Sequence, residues 1–189
     1  MMDKIINQSI DSHFSALNLL KNNLPVIAEI SASFISTLKS GGKIIFMGNG
    51  GSAADSEHLA AELVGRFKKN RKAYAAVSLS SNICIITAIG NDYGFDEVFS
   101  RQVEAIAQKN DLIVAISTSG ESKNVIKAVN KAKAIGVKTV GFLGKSGGQL
   151  KNLVDISLII PTEDTPRIQE MHILAGHIIC EIVEEELLR

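Results

Sequence analysis

Ile6, Ile10, Phe14 and Leu17 recur at helical spacing near the start of the chain, and Val26, Ile30, Phe34 and Leu38 repeat that spacing after Pro25. Apolar positions three and four apart share one helix face, so the pattern predicts helices over 2–22 and 24–39. Pro25 suits a first helical turn, where its missing N–H costs little, and Gly41-Gly42 ends the second helix. Beyond residue 42 the rhythm changes. Short apolar runs predict strands at 43–47, 73–79, 111–117, 137–143 and 155–160. Periodic stretches between them predict helices at about 53–66, 97–108, 122–135 and 166–187, with a glycine-rich connection and a short helix before the last strand. The run after Ser81-Asn82 has two readings: a capped helix reaching Ile89, or a strand at 83–86.

Apolar strands of five to seven residues without strict alternation, separated by helices, point to a parallel sheet covered on both faces. The expected fold class is α/β: a doubly wound five-stranded parallel sheet flanked by helices, with an added N-terminal helical pair. A chain of 189 residues is expected to form one domain over 1–189. Residues 1–40 would form a helical hairpin whose apolar faces need a partner, which favours an oligomer. No linker, repeat or low-complexity segment interrupts the pattern.

Composition narrows the function classes. Twenty Lys and Arg balance twenty Asp and Glu, so neither a nucleic-acid groove nor an acidic membrane surface is expected as a partner. The one basic block, Lys68-Lys69-Asn70-Arg71-Lys72, reads as a solvated loop. No stretch has the length of a membrane span, and the N-terminus lacks the apolar core of a signal peptide, so a cytoplasmic protein is expected. Cys84 and Cys180 lie in apolar runs and read as buried free thiols of a reducing compartment.

Two loops have binding chemistry. In open parallel sheets ligands sit beyond the carboxyl ends of the strands. Gly48-Asn49-Gly50-Gly51-Ser52-Ala53 follows the first strand; its glycines permit close backbone approach, and Ser52 can cap the next helix. It loosely fits a G-x-G-x-x-A dinucleotide fingerprint, but the acidic partner expected about twenty residues on falls in the basic block. Ser117-Thr118-Ser119-Gly120-Glu121-Ser122 follows the third strand and groups four hydroxyls around a glycine before a helix, a donor set suited to a phosphate. Without a Gly-Lys-Ser/Thr it does not read as a site for a metal-bound triphosphate. Glu121 would repel a phosphate and is expected to point outward. His58 and Glu62 share a helical face four residues apart, either as a reactive pair or as an ordinary helical hydrogen bond. His177 stands in an apolar stretch and needs a polar partner, for which Glu181 one turn on is the simplest choice.

Gly48-Asn49-Gly50-Gly51-Ser52, Gly90-Asn91-Asp92-Tyr93-Gly94-Phe95, Ser117-Thr118-Ser119-Gly120 and Arg167-Ile168-Gln169-Glu170-Met171-His172 occur in the order found in the phosphoheptose isomerases, and the chain resembles that branch of the sugar isomerase (SIS) fold family along essentially its whole length. The resemblance implies conversion of sedoheptulose 7-phosphate to D-glycero-D-manno-heptose 7-phosphate, toward the heptose of bacterial lipopolysaccharide or capsule. It also implies a homotetramer with active sites between subunits, and bound zinc. It makes Glu62 the base and His177 the acid of an enediol mechanism. Ser52, Ser117, Ser119 and Ser122 would hold the phosphate, with Thr118 adding contacts. Asn49, Gly50, Gly51, Asn91 and Asp92 would line the sugar site together with His58 and Glu62, and Gln169 would touch sugar or metal. The implied zinc ligands are His58, Glu62, Gln169 and His177. On one regular helix Gln169 and His177 stand about 12 Å apart, so a single ion reaches both only if their side chains converge.

Two non-enzymatic readings share the fold. The sequence also resembles a replication-initiator-associating protein of the same family, which lacks the Glu and His matching Glu62 and His177; both are present here. A sugar-phosphate-sensing module would ordinarily be joined to a DNA-binding domain, and the N-terminal helices carry little basic character for that role.

Overall fold

A computed structural model describes residues 1–189. Five strands, β1 (Ile44–Gly48), β2 (Ala76–Ser78), β3 (Leu112–Ser117), β4 (Lys138–Gly144) and β5 (Ile156–Ile160), form one sheet in the order β2-β1-β3-β4-β5. Every neighbouring pair is parallel. The helices are α1 (Met2–Lys21), α2 (Leu24–Lys39), α3 (Gly51–Val64), α4 (Ile83–Tyr93), α5 (Ser100–Ile106), α6 (Lys123–Ile135) and α7 (Thr165–Leu187).

Strand side chains alternate between faces, and both faces are apolar. Ile44, Phe46, Leu112, Val114 and Ile116 join one cluster with Ile30 and Phe34 of α2, Leu59 and Leu63 of α3, and Met171 and Ala175 of α7. Ile45, Met47, Ile113 and Ala115 join the other with Val98, Phe99, Val103, Val125 and Val129. Two-sided burial is why the strands read as continuous apolar runs rather than alternating ones.

Several expected boundaries shift. The strand expected at 73–79 shortens to Ala76–Ser78 at the sheet edge. The run after Asn82 is helical, opened by the Asn82 side chain, which accepts the Ile85 N–H at 3.1 Å. The helix expected at 97–108 is a 3₁₀ turn at Phe95–Glu97 followed by α5. Ser52 does not cap α3: Gly50 holds the cap position, and Ser52 is buried in the first turn.

The N-terminal pair divides in two. Ile30 and Phe34 of α2 are buried, but Ile6, Ile10 and Phe14 of α1 are 55%, 50% and 59% exposed. α4 also buries none of its residues, so Cys84, expected inside, is exposed; Cys180 is buried. No helix is long and apolar enough to cross a membrane.

On α7, fully buried His172 donates from Nε2 to the Leu143 carbonyl at 3.0 Å, while its Nδ1 has no partner. Burial pushes the ring down to about 4, and the Leu143 bond opposes that only in part. With a folded value below the unfolded one, the contribution to stability is full above pH 6.5. It falls away between about 6.5 and 4, where only the unfolded chain takes up the proton, for a loss of about 3 kcal/mol. Urea unfolding at pH 7 and pH 4.5 should therefore show a smaller acid-induced loss for His172→Gln than for the native chain. Equal losses would refute this.

Candidate active site

The chain leaves β1 toward the β2 edge and returns on the other side of β1 to form β3. The loops after β1 and β3 therefore diverge, opening the crevice that binds ligands in sheets of this order. Asn49 and Asn124 span it, each amide donating to the other's oxygen at 2.9 Å. Gly48, Asn49, Gly50, Ala53, Ser80, Ile86, Phe95, Val98 and Phe99 line a cavity of about 130 Å³ beside the glycine loop.

The serine loop closes the other side. Ser117 and Ser122 Oγ are 3.0 Å apart, and Ser117 and Ser119 Oγ accept the N–H groups of Gly120 and Glu121, each at 3.1 Å. Thr118 is half-buried between Ser117 and Ser119. Ser122 precedes α6 without using its hydroxyl as a cap; that hydroxyl pairs with Ser117 instead, beside the helix N-terminus. Glu121 does turn away: its carboxylate accepts the backbone and side-chain N–H groups of Gln149 at 2.9 and 2.7 Å.

The reactive candidates meet where α3 lies against α7. His58 Nε2 is 3.2 Å from a Glu62 carboxylate oxygen and 2.9 Å from His177 Nε2. Gly176 permits this approach, since a methyl group there would stand 2.5 Å from Leu59 Cδ2. The partner expected for His177, Glu181, is paired with Lys68 at 2.7 Å instead. Burial, and secondly the charge of His58, hold His177 below the ordinary imidazole range, with Glu62 opposing. Burial and His58 both favour the uncharged ring, which carries one N–H and one lone pair.

α3 and α7 run side by side in the same direction, because both follow strands of one parallel sheet. Gln169 meets Gly51, where an added methyl would be 2.2 Å from Nε2. His177 meets His58 further along. The 12 Å between Gln169 and His177 therefore matches the span from glycine loop to His58. Asn91 and Asp92 are not brought to this place within the chain. They are exposed at the end of α4, bonded to each other at 2.8 Å.

Residues 13–144 match the SIS domain family. Over 185 residues the chain is 51% identical to the phosphoheptose isomerase of Helicobacter pylori, covering 97% of this chain and 96% of that one. This chain belongs to the phosphoheptose isomerase family. Among solved structures, the phosphoheptose isomerase of Neisseria gonorrhoeae superposes with a TM-score of 0.93 at 36% identity, covering 98% of this chain and 100% of that one. The phosphoheptose isomerase of Francisella tularensis gives 0.95 at 34% identity, with coverage of 98% and 99%. Membership makes the chain an isomerase.

The donor atoms of His58, Glu62 and His177 lie within 4.8 Å of one another. Ligands at tetrahedral zinc, about 2.0–2.1 Å from the ion, stand roughly 3.3 Å apart. The 2.9 and 3.2 Å separations are close to that spacing. Two imidazole nitrogens and a carboxylate are also the donor types of the catalytic zinc sites of zinc peptidases, so the residues fit the metal.

Three features of this phosphoheptose isomerase site escaped the sequence pattern. Asp55, three residues before His58, has a buried oxygen without a partner, and burial pushes its carboxyl up to about 6 against the pull of His58. Its acid titration runs opposite to that of His172 but is common to both chains in the comparison above. Asn124 follows the serine loop with no sequence signal for its bond to Asn49. The third is the basic block. It is not a solvated loop throughout, because Arg71 is buried on Glu184.

Proposed function

We propose that the chain converts sedoheptulose 7-phosphate to D-glycero-D-manno-heptose 7-phosphate in the biosynthesis of heptose for a bacterial surface polysaccharide, acting in the cytoplasm. The convergence of Glu62, His58 and His177 where α3 lies against α7 is the observation that carries this reading. The substrate phosphate sits on Ser117, Ser119 and Ser122, with Ser52 and Thr118 adding contacts, and repulsion from Glu121 is avoided because that carboxylate is tied to Gln149. Asn49, Gly50 and Gly51 hold the sugar from the glycine loop, and Gln169 reaches sugar or metal from the same end.

Glu62 takes the proton from C1 of the ketose, and neutral His177 supplies one to the carbonyl oxygen at C2, giving the enediol. His177 then takes the proton from the C1 hydroxyl while Glu62 delivers its proton to C2, which yields the aldose. His58, Glu62 and His177, with Gln169, would hold zinc, which when bound polarises the sugar carbonyl as a Lewis acid. The reading is tested by incubating the protein with sedoheptulose 7-phosphate and following the sugar by NMR. Appearance of the aldose phosphate supports it, and an unchanged ketose rejects it.

We also propose a homotetramer whose sites lie between subunits. A cavity of 130 Å³ is well below the roughly 300 Å³ at which ligand pockets begin, and Asn91 and Asp92 touch nothing of it. Exposed Ile6, Ile10 and Phe14 on α1 and Ile83 and Ile85 on α4 supply the apolar surface for association. Sedimentation at assay concentration should give a tetramer. A fully active monomer would overturn this.

A further inference from the structure

α3 and α7 carry the reactive residues, and a buried ion pair joins the two helices beyond them. Arg71 and Glu184 have side chains 1% and 2% exposed, with Nε and Oε1 2.9 Å apart. Glu184 lies on α7 about two turns past His177. Its carboxylate also accepts the N–H groups of Phe67, Lys68 and Lys69, at 3.1, 2.8 and 2.8 Å. The rest of the guanidinium turns toward α3. Nη2 donates to the carbonyl of Glu62 at 2.7 Å and Nη1 to that of Leu63 at 2.9 Å, carbonyls that the end of the helix leaves without intrahelical donors. The plane stacks on Tyr74, 4.0 Å from the ring centre.

We infer that Arg71 and Glu184 are positioning residues for the active site, a fork that fixes the last turn of α3, and with it Glu62 and His58, against the part of α7 that bears His177. This rests on the reading of Glu62 and His177 given above. Stability alone does not account for the arrangement. Buried ion pairs contribute little net stability compared with apolar residues of similar volume. What an apolar pair lacks is directionality, whereas a planar fork holding one carboxylate and two carbonyls defines the helix spacing. Reactive groups need such definition, because a displacement of about 1 Å can cost about 100-fold in rate.

The test uses the full chain with Arg71→Lys. The ammonium keeps a charge for Glu184 but cannot span the carboxylate and both carbonyls. With native circular dichroism and assembly, the variant should bind zinc, titrated alone against a chromophoric chelator, about 10- to 100-fold more weakly. Its kcat should fall about 10-fold or more, with KM for sedoheptulose 7-phosphate within about 2-fold of the native value, since the serine loop is remote from the fork. The double variant Arg71→Met with Glu184→Met keeps the packing, should show the same losses, and decides the matter if Arg71→Lys does not fold. Lys68→Ala, which removes the exposed pair with Glu181 and the ammonium over the Phe67 ring but keeps the Lys68 N–H to Glu184, should change neither quantity. Native zinc affinity and kcat in a folded fork variant would overturn the inference. Glu62→Gln separates the two readings: normal turnover there removes the catalytic assignment, while weakened zinc binding in Arg71→Lys would still show positioning.

Discussion

Glu62→Gln should leave a folded protein that still binds its sugar phosphate but turns it over about 100- to 10,000-fold more slowly. The substitution preserves the size of the side chain and its place beside His58, 3.2 Å away, while removing the basic oxygen. Binding should survive because the main phosphate donors, Ser117, Ser119 and Ser122, lie on the loop after β3, and Ser52 lies at the far end of α3 from Glu62. The same logic applies to His177→Gln. Burial and His58 favour the neutral form of that ring, and a neutral polar replacement introduces no buried charge yet cannot donate and recover a proton. The measurement is kcat at saturating sedoheptulose 7-phosphate, together with zinc content and sedimentation. Near-native turnover in either variant, with assembly intact, would reject that residue's role. Loss of activity accompanied by loss of zinc or of assembly would point to a structural role instead.

Gly120→Ala should have the second-largest effect, weakening substrate binding about 100-fold. Gly120 has φ +69°, and a methyl group there would stand 2.0 Å from the backbone oxygen of Gly147. A left-handed conformation costs an alanine about 1–2 kcal/mol, and a clash with backbone cannot be relieved by a side-chain rotation. The loop must then move away from the Gly147 turn, which breaks the bonds from Gly120 N–H to Ser117 Oγ and from Leu150 N–H to the Gly120 carbonyl, both 3.1 Å. All the phosphate donors are displaced together. Ser117→Ala, Ser119→Ala and Ser122→Ala each remove one donor and should cost about 1–3 kcal/mol of binding. Calorimetric titration with substrate orders the series. Native affinity in Gly120→Ala, or in all three serine variants, would show that the phosphate binds elsewhere.

The glycine and serine loops were legible because their chemistry is local: each lies within a few residues of a strand end, where a parallel sheet gathers its loops. His58 and Glu62 were legible as a pair for the same reason, being one helical turn apart. The pairing of His177 with them was not, since Glu181 was nearer in sequence and equally suitable chemically. Only the side-by-side course of α3 and α7 brings His177 Nε2 to within 2.9 Å of His58. The basic block shows the same limit. Five residues of mostly positive charge resemble a solvated loop until Glu184, 113 positions away, is placed beneath Arg71.

By itself the sequence determined the α/β class, the five strands and the two loops after β1 and β3 that are candidates for binding, because apolar period and glycine or serine clusters are properties of neighbouring residues. It also marked α1 as amphipathic. Spacing reveals that a helix has an apolar face but not what covers it, and Ile6, Ile10 and Phe14 lie exposed on this chain while Ile30 and Phe34 of α2 are buried. The tertiary structure alone decided that Asp55 keeps a buried oxygen without a partner, that Cys84 is exposed and that Arg71 ties α3 to α7. Burial and partnership between distant residues depend on how the helices pack on the sheet, and that packing is a property of the whole chain.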